Sequence, residues 1–421
     1  MMKKVVFICV CLMGLVFTNG FHFYSSEALS VKKFSDIKDS HWAQSAIYQM
    51  AEKGVVSGFP DGTFRPDAVI TADQFITMMI MVHTEIYEGG VRDWSTKWWD
   101  TLNLYNQSEL VRQKFDFKSS KTEYWAQSYI NQAINMGFLK LSDGIFDGNY
   151  KKLLTRENAA FLLDEWLSFY EQSDSVRYVE LAKNGITDYY AISERVNQYV
   201  LKTVIKGVLR GYPDNTFRPN RFVTRAEAIT IMQSLSDRKT RNPYKPDLTG
   251  TFNTSLTWKD GSQRIVVFQT KEFLDATKII EIAGSKTDGA SRGNKMHFSF
   301  YKDDVTIDDY EKRSQHNIGL NVSPLEMGFG IGEHDDTYEF GLHINESFLA
   351  AHKEAYDTIT NFLFTEEVSV FNQKVLAHLR KYKKVYPEKI DGEEYNINGR
   401  SVRMSPLLGT ERITIYISEQ R

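Results

Sequence analysis

The sequence contains almost no cysteine, because Cys9 and Cys11 are its only two and both lie within residues 1–30. Residues 1–30 combine an early pair of lysines with a short apolar run and small residues up to Ser30, which is typical of a secretory signal peptide. We expect cleavage after Ser30. The chain that remains has no thiol, which excludes disulfides, thiolate metal sites and a cysteine nucleophile.

Long apolar runs are also missing, and after residue 30 no stretch is long enough to cross a bilayer. Neither sign of charge dominates, with 51 Lys and Arg against 54 Asp and Glu, which argues against bulk binding to nucleic acid. The sequence lacks a Gly-x-Ser-x-Gly elbow, a zinc-protease histidine pair and a calcium loop. It therefore offers no catalytic residue, metal ligand or cofactor site, although an enzyme remains possible.

The strongest pattern in the chain is an internal repeat. Residues 54–74 (GVVSGFPDGTFRPDAVITADQ) and 207–227 (GVLRGYPDNTFRPNRFVTRAE) agree in residue type and spacing along their length. Each copy predicts a helix that stops at glycine, a Pro-Asp turn, and a second helix opened by a capping box. Pro66 is expected to keep Arg65 extended. Residues 115–167 hold a more divergent copy, so we expect three stacked helix–loop–helix units.

These copies resemble the S-layer homology (SLH) domain family. The resemblance rests on Phe34-x-Asp36, residues 41–43 (HWA), residues 58–64 (GFPDGTF) with Pro66, residues 211–214 (GYPD) and residues 224–227 (TRAE). It implies a mainly α, pseudo-threefold bundle of three tandem repeats in residues 31–238. It also implies non-covalent attachment to an anionic secondary cell-wall polysaccharide, linked to peptidoglycan and often carrying a pyruvate ketal. The implied location is the cell wall or S-layer surface of a Gram-positive-type bacterium.

The resemblance and the composition together divide the chain into seven segments. They are the signal peptide 1–30, the first repeat 31–88, a tryptophan-rich insertion 89–114, a degenerate second repeat 115–170, the third repeat 184–238, a charged linker 239–246, and a domain at 247–421. The tryptophans of the insertion either pack on the bundle or form an extra surface for stacking on sugars.

Residues 247–421 match no family by motif, and their patterns predict a smaller α+β domain. Expected elements are a hairpin over 251–270, a helix or strand at 273–282, strands at 296–301, 338–344 and 413–417, and helices at 348–364 and 368–382.

Two arginines are the principal candidates for binding the polymer. Arg225 opens a capped helix, where free amides and the macrodipole favour an anion, and its planar fork can hold a carboxylate with two bonds. Arg156 has the same place in the second unit, whereas the first unit has Ala72 there. In the family this position contacts the wall polymer, which implies a surface groove at both arginines. The alternative is a solvated arginine, or one paired with a neighbouring carboxylate.

The remaining candidates are Trp42, Trp125, Gly58 and Gly211. The tryptophans either pack in the core or present a ring to a sugar, and the glycines either form a tight turn or admit a ligand to the backbone. Arg195 replaces the tryptophan in the third unit. The second unit also lacks the glycine of the first, which predicts a weaker groove at its own arginine. We therefore expect three unequal grooves.

The combined interpretation is an exported, wall-attached surface protein that displays residues 247–421. One alternative is a surface-anchored enzyme with its active site in 247–421. The other is an S-layer-like structural or adhesive protein.

Overall fold

The structure is a computed structural model, which describes residues 33–418 apart from ten gaps. The gaps are residues 118–123, 141–143, 173, 258–262, 286–290, 295, 302–324, 335–336, 383–391 and 407–412. The predicted signal peptide therefore lies outside the described residues.

Residues 33–240 are largely helical. The helices and strands are α1 (Gln44–Glu52), α2 (Ala72–Met81), β1 (Thr84–Ile86), β2 (Arg92–Trp94), α3 (Thr96–Trp99), α4 (Leu104–Gln113), α5 (Gln127–Asn135), α6 (Arg156–Ser168), α7 (Val176–Leu181), α8 (Asn197–Ile205) and α9 (Arg225–Ser236).

Three of these helix pairs share one pattern, and we call α1–α2, α5–α6 and α8–α9 the first, second and third pair. The first helix of each pair is followed by a glycine in the left-handed region, with φ of 64° at Gly54, 83° at Gly137 and 69° at Gly207. These are the predicted helix stops. The capping boxes predicted at the starts of α2 and α9 are also present.

A closed cycle of backbone hydrogen bonds joins the three pairs just before their second helices. Ile70 N donates to Val223 O at 3.0 Å, Val223 N donates to Leu154 O at 2.9 Å, and Leu154 N donates to Ile70 O at 2.9 Å. All three side chains are fully buried. Each pair therefore contacts both of the others, so its apolar surface is covered by its neighbours.

Arg65 is not extended, contrary to the expectation drawn from Pro66. Its φ is 59°, and Arg218 in the third pair has φ of 56°. The Asp36 carboxylate holds this strained turn, because it accepts hydrogen bonds from the amide of Arg65 at 2.6 Å and from the preceding amide at 2.7 Å. Asp188 does the same for Arg218. The buttressing aspartate outweighs the steric preference of a residue before proline.

The tryptophan-rich insertion packs onto the helices, which favours the first of the two alternatives. Trp94 and Trp98 are buried, at 8% and 4% exposure. Trp98 stacks on His83, whose ring centroid is 5.1 Å away, and His83 stacks in turn on Trp166 at 5.2 Å. The indole N–H of Trp166 donates to Nε2 of His83 at 2.9 Å. His83 is therefore held neutral inside an aromatic cluster.

This burial predicts a loss of stability in mild acid. Burial lowers the pKa of His83 from 6.5 to about 3. Between those values the unfolded chain binds the proton and the folded chain does not, so the free energy of unfolding falls as the pH drops. From pH 7 to pH 5 we expect His83 to contribute a loss of about 2 kcal/mol. Urea unfolding at both pH values should show this difference, and His83→Gln, which keeps an acceptor for Trp166, should remove it.

The segment predicted as a linker, residues 239–246, packs against the helical region. Arg241 donates through Nη1 and Nη2 to the two carboxylate oxygens of Glu171 at 2.9 and 2.7 Å. Further along, Tyr244 N donates to Val204 O at 3.2 Å. The side chains of Arg241 and Glu171 are 6% and 7% exposed. A buried bidentate ion pair thus holds the chain at the point where the helical region ends.

The rest of the described chain mixes helices with antiparallel strands. Its elements are β3 (Phe252–Thr257), β4 (Gln263–Phe268), α10 (Lys271–Ser285), β5 (Ser291–Asn294), β6 (His297–Tyr301), β7 (Leu325–His334), β8 (Thr337–Ile344), α11 (Glu346–Ala351), α12 (Lys353–Phe364), α13 (Val368–Tyr382), β9 (Glu393–Ile397), β10 (Arg400–Pro406) and β11 (Ile413–Ile417). The chain as a whole is therefore of mixed α and β structure.

Strands β5 to β11 form one antiparallel sheet in the order β5-β6-β7-β8-β11-β10-β9, and β3 pairs with β4 in a separate hairpin, as predicted. Phe340, Val402 and Ile415 from the sheet share a core with Phe273 and Phe371 from the helices. The hairpin also contacts the helical region, because the buried Ser175 side chain accepts from Val267 N at 3.0 Å. The helix predicted at 348–364 is divided at His352.

Candidate functional site

Arg225 lies on the loop of the first helix pair rather than on the loop of its own pair. Its Nε donates to Phe64 O at 2.9 Å and its Nη2 donates to Ser57 O at 3.1 Å. The guanidinium carbon is 5.0 Å from the ring centroid of Phe59 and 4.6 Å from that of Phe64. Among the described residues, Nη1 has no hydrogen-bond partner. The outer edge of the guanidinium, formed by Nη1 and the second Nη2 hydrogen, thus remains available for a ligand.

Arg156 makes the matching contacts with the loop of the third pair. Nε donates to Phe217 O at 2.8 Å and Nη2 donates to Arg210 O at 2.7 Å, and the guanidinium carbon lies 4.7 Å from the ring centroid of Tyr212. The expected surface position is wrong for this residue, because Arg156 is only 5% exposed. Arg225, by contrast, is half-buried. Burial lowers the pKa of both arginines below the ordinary value.

A second guanidinium group contacts the same aromatic ring in each loop. Arg65 lies 4.0 Å from the ring centroid of Phe59, and Arg218 lies 4.0 Å from that of Tyr212. Each of these arginines also pairs with the aspartate of its own loop at 2.8 Å. Sequence reasoning overlooked Arg65 and Arg218, although the repeated Thr-Phe-Arg-Pro of the two strong copies would have indicated them. The Phe59 ring thus lies beside two guanidinium groups and the Tyr212 ring beside three, because Arg221 is also 5.3 Å from the Tyr212 ring centroid.

The amides at the start of α9 are not free, which corrects part of the argument for an anion there. The amides of Arg225, Ala226 and Glu227 donate to the carbonyls of Ala68 and Pro66 and to the capping hydroxyl, at 2.8, 3.0 and 3.3 Å. These bonds join α9 to the first pair. Any anion bound here is therefore held by the guanidinium groups, with only the macrodipole of the helix in support.

The start of α2 likewise contacts the loop of another pair, in this case the second, so the second helix of each pair lies on the loop of a different pair. Ala72 N donates to Lys152 O at 3.0 Å and Asp73 N donates to Tyr150 O at 2.8 Å. We define three junctions by these contacts. The first joins the start of α2 to the loop of the second pair, the second joins the start of α6 to the loop of the third pair, and the third joins the start of α9 to the loop of the first pair.

The sequence predicted a weaker groove at Arg156 because the second unit lacks the loop glycine of the first. The contacts between the pairs correct this expectation. Arg156 faces the loop of the third pair, which contains Gly211, whereas the loop that lacks an equivalent of Gly58 and Gly211 faces Ala72. The missing arginine and the missing glycine therefore belong to one junction, and the second and third junctions each keep both features.

Trp42 and Trp125 lie on the surface, with 65% and 50% of their area exposed. Core packing therefore does not account for them. At the equivalent position of the third pair, Arg195 donates through Nη1 to Gly144 O of the second pair at 2.8 Å. Residues at this position thus lie where they can reach a neighbouring loop.

Gly58 and Gly211 allow close approach within their loops. A Cβ on Gly58 would lie 2.4 Å from the Phe34 ring and 2.9 Å from Thr63 O, and one on Gly211 would lie 3.2 Å from Thr216 O. The tight loop turn alone is sufficient to explain both glycines.

Beyond the junctions, a cleft of about 510 Å³ lies between α7 and the β3–β4 hairpin. Its lining includes Arg177, Glu180 and Lys183 on one side and Phe252 on the other. In the described ranges, no group of three or more histidine, cysteine or acidic side chains is placed to hold a metal ion. None of the described helices has the length and apolar character needed to cross a membrane.

Comparison with known proteins identifies the repeated segments. The family model described as S-layer homology domain matches residues 33–76 and residues 185–229. The chain is 30% identical to Cell surface glycoprotein 1 of Acetivibrio thermocellus over 30% of this chain and 5% of that protein. It is 31% identical to the Cellulosome-anchoring protein of the same organism over 25% of this chain and 20% of that protein.

A third relative, S-layer protein EA1 of Bacillus anthracis, is 24% identical over 63% of this chain and 28% of that protein. The chain thus spans between 5% and 28% of the length of these three relatives. The two matched segments contain the loop of the first pair and the start of α9, which together build the third junction. The chain therefore contains the S-layer homology domain at residues 33–76 and again at residues 185–229.

Proposed function

We propose that this chain attaches to the cell surface through three SLH repeats arranged as a pseudo-threefold helical bundle. The repeats bind an anionic, pyruvate-ketal-bearing secondary polysaccharide that is linked to peptidoglycan. The names of two relatives, a cell surface glycoprotein and a cellulosome-anchoring protein, support an anchoring role. The observation that carries the proposal is the half-buried Arg225, whose outer guanidinium edge is free of partners among the described residues.

The chemistry follows from how this guanidinium is held. Two backbone carbonyls fix its plane, so little side-chain entropy is lost when a carboxylate binds the outer edge with two hydrogen bonds. At the second junction two carbonyls likewise fix the plane of the buried Arg156, and the more exposed guanidinium there belongs to Arg218. Trp42 and Trp125 offer exposed ring faces to the C–H surface of a sugar. Gly58 and Gly211 keep the loops narrow enough for a polymer to pass close to the backbone.

The remaining parts of the chain follow from this role. Residues 1–30 direct export, and the mature protein resides in the wall or S-layer of a Gram-positive-type bacterium. The repeats occupy 31–88, 115–170 and 184–238, and residues 247–421 form the displayed α+β domain. Because residues 239–246 pack on the helical region, the displayed domain is held against its anchor.

The charge of the ligand is the feature to test first. The full chain should co-sediment with purified cell walls, and removal of acidic ketals from the walls should abolish most of the binding. Added salt should also weaken it, because exposed charges are screened within about 10 Å at roughly 0.1 M. Arg112→Ala, which removes an exposed guanidinium from α4, serves as a control and should bind like the parent. Undiminished binding to ketal-free walls would contradict the proposal.

A further inference from the structure

The first junction differs from the other two at both guanidinium positions and at the ring supplied by Phe59 or Tyr212, although it keeps the loop phenylalanine as Phe146. Ala72 replaces the arginine at the helix start. Asp147, with φ of 49°, has the same left-handed backbone as Arg65 and Arg218 and likewise follows the loop phenylalanine. It therefore replaces the second guanidinium group. Residues 140–144 (KLSDG) also lack the ring of the other loops.

At this junction a buried carboxylate instead accepts a hydrogen bond from the neighbouring pair. Asp73 is 3% exposed, and its Oδ2 accepts the Tyr124 hydroxyl at 2.6 Å. Its Oδ1 accepts the Gln74 amide at 2.7 Å and the Thr71 hydroxyl. The ammonium group of Lys151 lies 4.7 Å from the ring centroid of Tyr124. Since Asp73 belongs to the first pair and Tyr124 to the second, their hydrogen bond fastens the two pairs together.

The residue equivalent to Asp73 differs at the other two junctions. At the second junction it is Glu157, which accepts the Ser193 amide at 3.0 Å. At the third junction it is Ala226, which adds no charge. At the first junction both arginines are missing, Asp73 is hydrogen-bonded to Tyr124 and Asp147 pairs with Lys152 at 3.3 Å, so neither guanidinium of the other junctions is there to hold a carboxylate. The third junction retains two guanidinium groups around the Phe59 ring, and the second retains three around the Tyr212 ring.

We propose that the chain has two sites for a carboxylate-bearing sugar, at the second and third junctions, and that the first junction, where Ala72 and Asp147 replace the arginines, is a structural joint fastened by the Asp73–Tyr124 bridge. This inference rests on the proposed function, and it determines how many ligands the chain takes and where. The bridge makes the first junction a structural joint, whose own carboxylate takes part in holding the pairs together.

The test is isothermal titration calorimetry of the full chain with a methyl hexopyranoside that carries a 4,6-pyruvate ketal, a ligand too small to span two junctions. The parent should bind two equivalents. Arg225→Ala should bind one, and Arg156→Met should also bind one. Because Arg156 is buried and Arg156→Met risks misfolding, Arg218→Gln tests the second junction through an exposed guanidinium. It should weaken one of the two equivalents and leave the other unchanged.

The matched variant for the first junction is Asp73→Asn with Tyr124→Phe. It should still bind two equivalents with unchanged affinity, while its melting temperature falls because the bridge is lost. Three equivalents for the parent, a single equivalent, or a change in stoichiometry on removing the bridge would overturn this inference and leave the anchoring function intact. A parent chain that binds no ketal sugar would contradict the proposed function itself, and this inference with it.

Discussion

Replacing Arg225 with alanine should weaken binding to the wall polymer about ten- to hundredfold. The substitution removes a charge-assisted pair of hydrogen bonds to the ligand, which is worth about 1.5–3 kcal/mol. It also removes the bonds to the carbonyls of Phe64 and Ser57, so we expect a stability loss of about 1–2 kcal/mol. Wall-polymer affinity and urea unfolding, measured on the same preparation, separate the two effects.

Arg225→Lys is the matched control for this prediction. The ammonium keeps the positive charge and the salt dependence of binding, but it cannot hold a carboxylate with the planar fork. Its affinity should therefore lie between those of the parent and Arg225→Ala. If Arg225→Ala binds like the parent, or if the loss of affinity merely follows unfolding, Arg225 is a structural residue and the assignment of the site is wrong.

Local structure at the repeats could be predicted because short-range rules decide it. The glycine stops after α1, α5 and α8 and the capping boxes of α2 and α9 depend on neighbours within a few residues. The same holds for helix α13 and strand β11, whose ends match the predicted ranges 368–382 and 413–417. Strand β7 was missed because its alternate glycines hide the usual pattern of β-forming side chains.

The partners of the site residues could not be predicted in the same way. Comparison of the copies aligns each arginine with its own loop, but Arg225 bonds to Phe64, 161 residues away in the chain. That contact exists only because the three pairs close into a ring. The left-handed backbone of Arg65 likewise depends on Asp36, 29 residues away. In both cases the deciding group is brought in by tertiary structure.

The burial of charged side chains is the other property that could not be predicted from the sequence. Arg400 looks like an ordinary strand residue, but it is 1% exposed and donates to Leu363 O at 2.8 Å and to Ser418 O at 2.9 Å. It also pairs with Glu272 at the start of α10. The charged segment 239–246 was interpreted as a linker for the same reason, since charge usually indicates solvent exposure.

The largest effect on stability is expected from Glu171. Its carboxylate lies among Arg241, Arg238 and Lys206, so Glu171→Ala leaves three cations close together, with Arg241 almost fully buried. Removing one partner of such a pair costs about 3–5 kcal/mol. Urea unfolding should show this loss, and limited proteolysis should show faster cleavage within residues 239–246. Glu109→Ala, which breaks the solvent-exposed Glu109–Arg112 pair, serves as a control and should leave stability almost unchanged.

A double-mutant cycle separates the free energy contributed by the Glu171–Arg241 ion pair from the cost of leaving one buried charge unpaired. Glu171→Leu and Arg241→Met should each destabilise strongly alone, but the double variant should lose far less than the sum, because no unpaired buried charge remains.

Although burial raises the pKa of Glu171, Arg241 and the neighbouring cations lower it to about 2, from 4.5. The stabilisation is therefore complete above pH 4.5 and is lost as the pH falls toward 2, and the double variant should not show that loss. Additive single losses, or an unchanged acid response, would show that the ion pair does not hold the two parts of the chain together.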